Sequence, residues 1–564
     1  VEYFWDGFAI FTYFALVIGI GLASSRKSGQ NMREFSVGGR QLPWWAVLAS
    51  IIAAELSAAT FLGAPAEGFH GRNFLYAQLA IGTVIARIVV AYLFIKPFYD
   101  NNVVSIYEFL QIRFGVATRN AASAVFLVTR LLASGTRLYV AAVIIVVGYE
   151  LIRGTPATVS EQISIYAGAV LLVTALTTLY TAAGGIRAVV WTDVIQATVM
   201  GGAVIYALVS LWQGVGGWTG AQSVLNHPGD LQVFDSGFSL AKTTDSGTRA
   251  VEEGHPILGI ICGILGNEYT IWAAILGSVF TTMATHGTDQ DMVQRMLTAK
   301  DYHKSRLALV LSGLIDIPVA LGFLLIGILI YVFYQMHPDP HLPTKNPEIF
   351  SYYILHQLPP GARGLLVAGV LATAMGSLST ALNALATSFT EDFWVPYFSK
   401  KDSTQHQTVT AVRWSTVVFA LLLAAVGIIT AIIVVYSPKA RIIPIVLGIF
   451  GYTYGSLLGI FLLGLTTKTR GTEKGNLIAM LAGFLAVGIW SGLPWDATNA
   501  VRGLSYNIGP NVIWFAQHGL LKFADGYVHP PDWLVQIEFP WRVMFGTLTT
   551  YAVAWCFKRK AMEV

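Results

Sequence analysis

Thr373, Ser377, Thr380 and Thr387 fall at i, i+4, i+7 and i+14 within GARGLLVAGVLATAMGSLSTALNALATSFTEDFW, residues 361–394. That spacing sets four hydroxyls on one face of a helix, with Gly376 and Ser379 beside them. Hydroxyls and backbone carbonyls at close quarters can replace the water around a small hard cation, which prefers oxygen ligands. The stretch is also long and apolar enough to cross a bilayer, for which about 20 residues suffice. Small residues let membrane helices approach closely. On this stretch alone, helix packing therefore outweighs cation binding.

A second set of groups changes the balance. Glu55, Arg130, Arg137, Asp193, His286, Asp289 and Asp316 lie within apolar segments or close to their ends. Each is costly in lipid and must face a partner or a wet cavity. Arg130 and Arg137 are seven residues apart on one helical face, so either could neutralise Glu55 or Asp316. For any single residue, structural pairing and a place on a substrate pathway weigh equally. So many in one bundle favour a pathway through its middle.

The elements that must position these groups are membrane helices. The 564 residues are 55% hydrophobic and only 12% charged, against about 25% charged in soluble domains, and the mean hydropathy is +0.61. Thirteen spans are predicted, near residues 3–24, 44–66, 74–98, 118–150, 162–183, 189–213, 268–294, 305–334, 361–393, 410–436, 441–466, 475–496 and 540–557. Runs this long and apolar satisfy their own backbone only as helices, so the fold class is an all-α polytopic membrane protein. Basic residues cluster in alternate loops: Arg26, Lys27, Arg33 and Arg40; Arg113 and Arg119; Arg187; Lys300, Lys304 and Arg306; Lys400 and Lys401; Lys468, Arg470 and Lys474; and the tail Lys558, Arg559 and Lys560. The positive-inside rule makes these loops cytoplasmic, the N-terminus external and the C-terminus internal. Loops at 214–256, 335–360 and 497–539 then cover the outside. Cys262 and Cys556 lie in apolar segments and form no disulfide framework or zinc spacing. No cleavable signal peptide is expected, because the first apolar stretch, 8–23, runs straight into a basic loop. A net charge of +4 spread over separate short loops fits membrane orientation better than a nucleic-acid patch, and no nucleic-acid partner is expected. No HExxH, GxSxG or metal-spaced histidine cluster points to an enzyme.

Three passages carry a resemblance: GGRQLPWWAVLASIIAAELSAATFLGAPAEGF (38–69), YTAAGGIRAVVWTDVIQ (180–196) and GSLSTALNALATSFTEDFW (376–394). DQDMVQRMLTAK (289–300) and FLLGL (461–465) add to them. Together they resemble the sodium:solute symporter family, whose members carry sugars, proline, sialic acid, monocarboxylates, vitamins or iodide. The resemblance runs from the first span to about residue 475. It implies two inverted five-helix repeats, 44–213 and 268–466. A leading helix and basic loop (3–43) precede them, an external loop (214–267) joins them, and two C-terminal helices follow within 467–564. The first helix of each repeat is discontinuous in this family, offering carbonyls and helix ends at the midplane. Nothing in the residues marks the break itself: Gly63 and Pro65 come late in the first, and Gly277 and Gly287 bracket the second.

Carried over position by position, the resemblance implies a main sodium site at Ala53, Leu56, Thr373, Gly376 and Ser377. Many members have serine where this chain has Gly376, so one side-chain oxygen is missing. A second sodium site or exit path falls on Asp193, Ser379 and Thr380, and Asp193 could alternatively anchor the cytoplasmic loop through Arg187. The positions that bind sugar in relatives are Thr60, Leu79, Thr282, Asp316 and Thr285 here, and none keeps the sugar-binding residue. Gln78, His286 and Asp289 stand nearby, with Glu55 as a pairing or coupling group. Arg137 suits an anionic solute; Asp316 and Glu55 suit a polyol, an amine or a zwitterion.

The expectation is thus a sodium-driven symporter of a small polar organic solute in the cell membrane, working by alternating access. Sodium ions, the solute and lipid are its only expected partners, with no cofactor and no obligate protein partner. A proton-coupled carrier of the same fold is the nearest alternative, since Asp193, Glu55 or Asp316 could relay protons; a channel or a sensor is more remote.

Overall fold

The computed structural model describes residues 3–25, 31–240, 242–343, 346–399, 404–436, 442–492, 522–524, 527–529, 534–535 and 537–558. Arg26, Lys27, Lys400, Lys401, Arg559 and Lys560 lie outside these, as do residues 493–496 of one predicted span and most of the loop at 497–539. Helix fills most of the described part of every predicted span. The one sheet among the described residues is a short antiparallel hairpin, Lys522–Ala524 with Tyr527–His529.

α1 (Phe4–Ser25) leads. The next span is two helices, α2 (Trp44–Glu55) and α3 (Ala58–Gly71), bent by 61°. Then come α4 (Leu79–Leu93), α5 (Val116–Arg153) and α6 (Val159–Gly214). After the loop, a wide π-helical turn at Ala273–Ser278 runs into α7 (Val279–Gly287), and α8 (Gln290–Met296) follows a break. The remaining long helices are α9 (Tyr302–Met336), α10 (Ala362–Phe389), α11 (Gln405–Tyr436), α12 (Ile442–Thr466), α13 (Glu473–Trp490) and α14 (Phe539–Cys556).

Among the described residues, nine helices are long and apolar enough to cross a membrane, or ten when α2 and α3 count as one span. The sequence leads to thirteen, and three particulars separate the numbers. α6 counts once although it is two helices meeting at a kink at Gly185, where the sequence places two spans; the stretch 268–294 is broken into short pieces; and α14 is not among the nine.

Local chemistry explains the boundaries. α6 starts at a capping box: the Thr158 hydroxyl accepts the Glu161 N–H, and the Glu161 carboxylate accepts the Thr158 N–H at 2.8 Å. Its two halves meet at Gly185, where φ is 55° and ψ is −152°. A Cβ there would sit 2.4 Å from the Phe35 carbonyl oxygen, so only glycine fits this corner. Asp6 of α1 closes the start of α10, accepting the Gly361 and Gly364 N–H groups at 2.7 and 2.8 Å and Arg363 Nε at 2.8 Å. α10 forms the centre: 89% of its spanning window is buried, against 33% for α11 and 17% for α1, which turn outward.

Candidate functional site

The bend between α2 and α3 falls at Leu56 and Ser57, well before Gly63 and Pro65. Leu56 leaves the helix (φ −78°, ψ 77°) and Ser57 is extended. In an unbroken helix the Ser57 N–H would close onto the Ala53 carbonyl; here it donates to the Glu55 carbonyl at 2.9 Å. The Ala53 carbonyl is thereby released from the ladder in the middle of the bundle.

α10 brings its hydroxyl face to this point. A Cβ on Gly376 would lie 3.4 Å from the Ala53 carbonyl oxygen, 2.8 Å from Gln196 Oε1 and 3.7 Å from Asp193 Oδ1. The Thr373, Ser379 and Thr380 hydroxyls donate to the carbonyls of Val370, Gly376 and Ser377, at 2.7, 3.0 and 2.9 Å. A hydroxyl that has spent its proton this way keeps lone pairs to offer a cation. Thr387, at the far end of the stripe, instead meets Ser36 at 3.1 Å and Gln294 at 3.2 Å, so there the stripe serves packing. Asp193 is fully buried and accepts from Ser50 Oγ at 2.5 Å. Arg187 lies against the Gly38 carbonyl at 3.4 Å and is not the partner of Asp193.

Two ionic clusters flank this centre. In the first, Glu55 at the end of α2 pairs with Arg87 of α4 and with His286 Nε2 of α7 at 2.6 Å. Arg87 also donates to Ser312 at 2.6 Å and stands 3.9 Å from Asp316 of α9. Asp316 is partly exposed to a cavity of about 90 Å³ lined by Thr60, Thr83, Tyr76 and Leu79. In the second, Arg130 pairs with Asp291 and, at 3.0 Å, with Asp289. Asp289 also accepts from Tyr454 at 2.6 Å, and Asp291 from Arg295 at 3.0 Å. Arg130 therefore neutralises neither Glu55 nor Asp316; sequence spacing cannot choose among acids brought near by the tertiary fold.

The solute candidates separate accordingly. Asp289 is enclosed by its partners, and His286 is occupied by Glu55 and Thr285. The Thr285 hydroxyl donates to the Thr282 carbonyl at 3.2 Å, and the Thr282 hydroxyl meets Thr83 at 3.3 Å. Gln78 fastens a loop, taking the Asp235 N–H at 3.1 Å and donating to the Leu75 carbonyl. Thr60 and Asp316 line the cavity. Arg137 has no carboxylate partner among the described residues, and its guanidinium stacks 5.2 Å from the Phe450 ring centre. Sequence reasoning missed Ser50, Arg87, Gln196, Asp291, Arg295 and Tyr454. Arg87 is the one charge inside the apolar run of α4, and Gln196 follows Asp193 by three residues on the same face, so both carried a readable signal.

Comparison with known proteins agrees with this architecture. A sodium/sialic acid symporter from Aliivibrio fischeri is 26% identical over 485 residues, covering 86% of each chain. A human sodium-coupled monocarboxylate transporter 2 is 28% identical over 509 residues, covering 86% of this chain and 72% of its own. The solved structure of a Na+-coupled sialic acid symporter in a substrate-bound outward-open state superposes with a TM-score of 0.71 at 20% identity, over 98% of this chain and 97% of the other, and so shares the fold. The sequence model of the sodium:solute symporter family matches residues 35–483, well over half of the length, and the chain belongs to that family.

Proposed function

We propose that this protein couples the entry of sodium to that of a small organic solute bearing a carboxylate, by alternating access across thirteen spans arranged as two inverted repeats. Sodium-coupled symport follows from the family. The main sodium site is read at Ala53, Leu56, Thr373, Gly376 and Ser377, and a second site or exit path at Asp193, Ser379 and Thr380. Supporting this reading, the released Ala53 carbonyl lies on the same point of α10 as Gly376, with Asp193 beside it.

The observation that carries the solute class is Arg137. Arg87, Arg130 and Arg295 are each matched to a carboxylate, whereas Arg137, two turns from Arg130, has none among the described residues. Arg137 is half-buried and its Nε is enclosed without a hydrogen-bond partner; a guanidinium so placed gains from an anion, and a planar carboxylate is the bidentate partner it fits. Relatives named for sialic acid and for monocarboxylates both handle carboxylates. A second reading, a zwitterion or amine, rests on Asp316, whose carboxylate faces the cavity and is only distantly paired to Arg87.

The test is a thermal-shift screen of the purified protein against sugars, sugar acids, amino acids and monocarboxylates, each in sodium or potassium. A ligand that binds only the folded state raises the melting temperature by mass action. Carboxylates should stabilise in sodium alone. Stabilisation by carboxylates in either salt would point to the proton-coupled alternative, and stabilisation by neutral sugars alone would remove Arg137 from the site.

A further inference from the structure

Gly376 leaves the main site one hydroxyl short of the serine many relatives carry. The geometry points to Gln196 as the residue that fills the gap: we infer that its side-chain carbonyl is a sodium ligand, shared between the Ala53 carbonyl and the Asp193 carboxylate. This rests on the sodium-site reading given above.

Three observations carry it. First, Gln196 Oε1, the Ala53 carbonyl oxygen and Asp193 Oδ1 all lie within 3.7 Å of one point, the position a Cβ on residue 376 would take. Secondly, Gln196 is 1% exposed and neither its Oε1 nor its Nε2 makes a hydrogen bond of ordinary geometry; Asp193 Oδ1 is likewise buried without one. The Tyr13 and Tyr180 hydroxyls lie close to the amide but do not complete such a bond. Thirdly, the space is made by the glycine: a side chain at 376 would press on Gln196 Oε1 at 2.8 Å.

Buried oxygens that converge without a proton between them repel one another, and leaving them unsatisfied is costly. A hard monovalent cation resolves the arrangement, because amide, carboxylate and backbone oxygens are its natural ligands. Gln196 and Gly376 thus form an exchange pair: a longer amide arm from α6 in place of a hydroxyl on α10. The competing arrangement turns the amide over so that its NH2 donates to Ala53 and Asp193. Gln196 would then only fasten α6 to α2.

Sodium titrations of the full-length protein in detergent, without solute and at constant ionic strength in choline, separate the two. The readout is the melting temperature or intrinsic tryptophan fluorescence. Gln196→Met keeps the bulk and removes the oxygen; it should raise half-saturating sodium about tenfold. Gln196→Ala vacates the space, and adding Gly376→Ser to it returns a hydroxyl there, which should bring sodium affinity back to within about threefold of the parent. If Gln196→Met titrates like the parent while Ser377→Ala is weakened, Gln196 is not a ligand and the inference falls with the sodium site intact. If neither variant changes the sodium response, the site itself is misplaced. If Gln196→Met weakens sodium binding but Gly376→Ser does not rescue Gln196→Ala, the exchange is refuted and Gln196 acts by fastening helices. Should Gln196→Met fail to fold, Gln196→Ala with Gly376→Ser answers the same question.

Discussion

Glu55 shows how a single buried charge is settled in this bundle. It ends α2 and is held by Arg87 and His286, with Arg87 almost wholly enclosed. Replacing Arg87 with Met leaves Glu55 with His286 alone, and removing one partner of a buried pair costs about 3 kcal/mol or more. Arg87→Met should therefore lower the melting temperature, and adding Glu55→Gln should recover most of the loss; a double variant no more stable than Arg87→Met would mean the pair is not coupled. Arg137 is the opposite case, a cation with no carboxylate at ion-pair distance among the described residues. Arg137→Ala should abolish solute-induced stabilisation and keep the sodium response, while Arg137→Lys, which offers a point charge in place of a planar fork, should retain only a fraction of the solute affinity. Loss of the sodium response in Arg137→Ala would assign the residue to the frame of the bundle. For Ser377→Ala, one hydroxyl fewer in the proposed main site should raise the sodium requirement about tenfold, or about 1.4 kcal/mol, measured as half-saturating sodium in uptake.

At the scale of elements, the legible features were those with a local signature. The hydroxyl stripe of α10 reads from its spacing, and its centrality follows from small residues that let neighbours close in on every side. The corner at Gly185 sits in the GGIRAVVWTDVIQ passage, and the glycine is there because the backbone needs a positive φ against the Phe35 carbonyl. Gly185→Ala should cost about 1–3 kcal/mol and lower the yield of folded protein. Unaltered stability would mean the corner relaxes freely. The break in α2–α3 was not legible, for a physical reason. Leu56 and Ser57 are ordinary residues, and Gly63 and Pro65 lie inside α3. What parts the helices is tertiary: Glu55 is drawn to Arg87 and His286, and Arg295 takes the Ser50 carbonyl at 3.2 Å. The same holds for Arg130, whose acids Asp289 and Asp291 stand at the start of α8, just past a second break that spacing alone does not locate.

At the scale of the whole molecule, the first ionic cluster ties α2, α4, α7 and α9 through Glu55, Arg87, His286 and Ser312, while the proposed sodium ligands lie where α2 meets α6 and α10. On the proposed reading, a cation bound across that seam would couple the tied group to the rest, as alternating access requires. The energetics then constrain the stoichiometry. A sodium ion crossing ~100 mV releases about 2.3 kcal/mol, and a tenfold gradient adds about 1.4 kcal/mol. With a carboxylate solute, one sodium ion makes the cycle electroneutral, so voltage does no work and accumulation stops near the tenfold sodium ratio. Two sodium ions carry one net charge and sustain roughly several thousandfold. If Asp193, Ser379 and Thr380 hold a second ion, uptake into proteoliposomes should carry inward current and rise steeply with an inside-negative potential. Asp193→Asn should abolish both. Voltage-independent uptake of a carboxylate by the parent protein would limit the cycle to one sodium ion and remove the second ion from Asp193, Ser379 and Thr380.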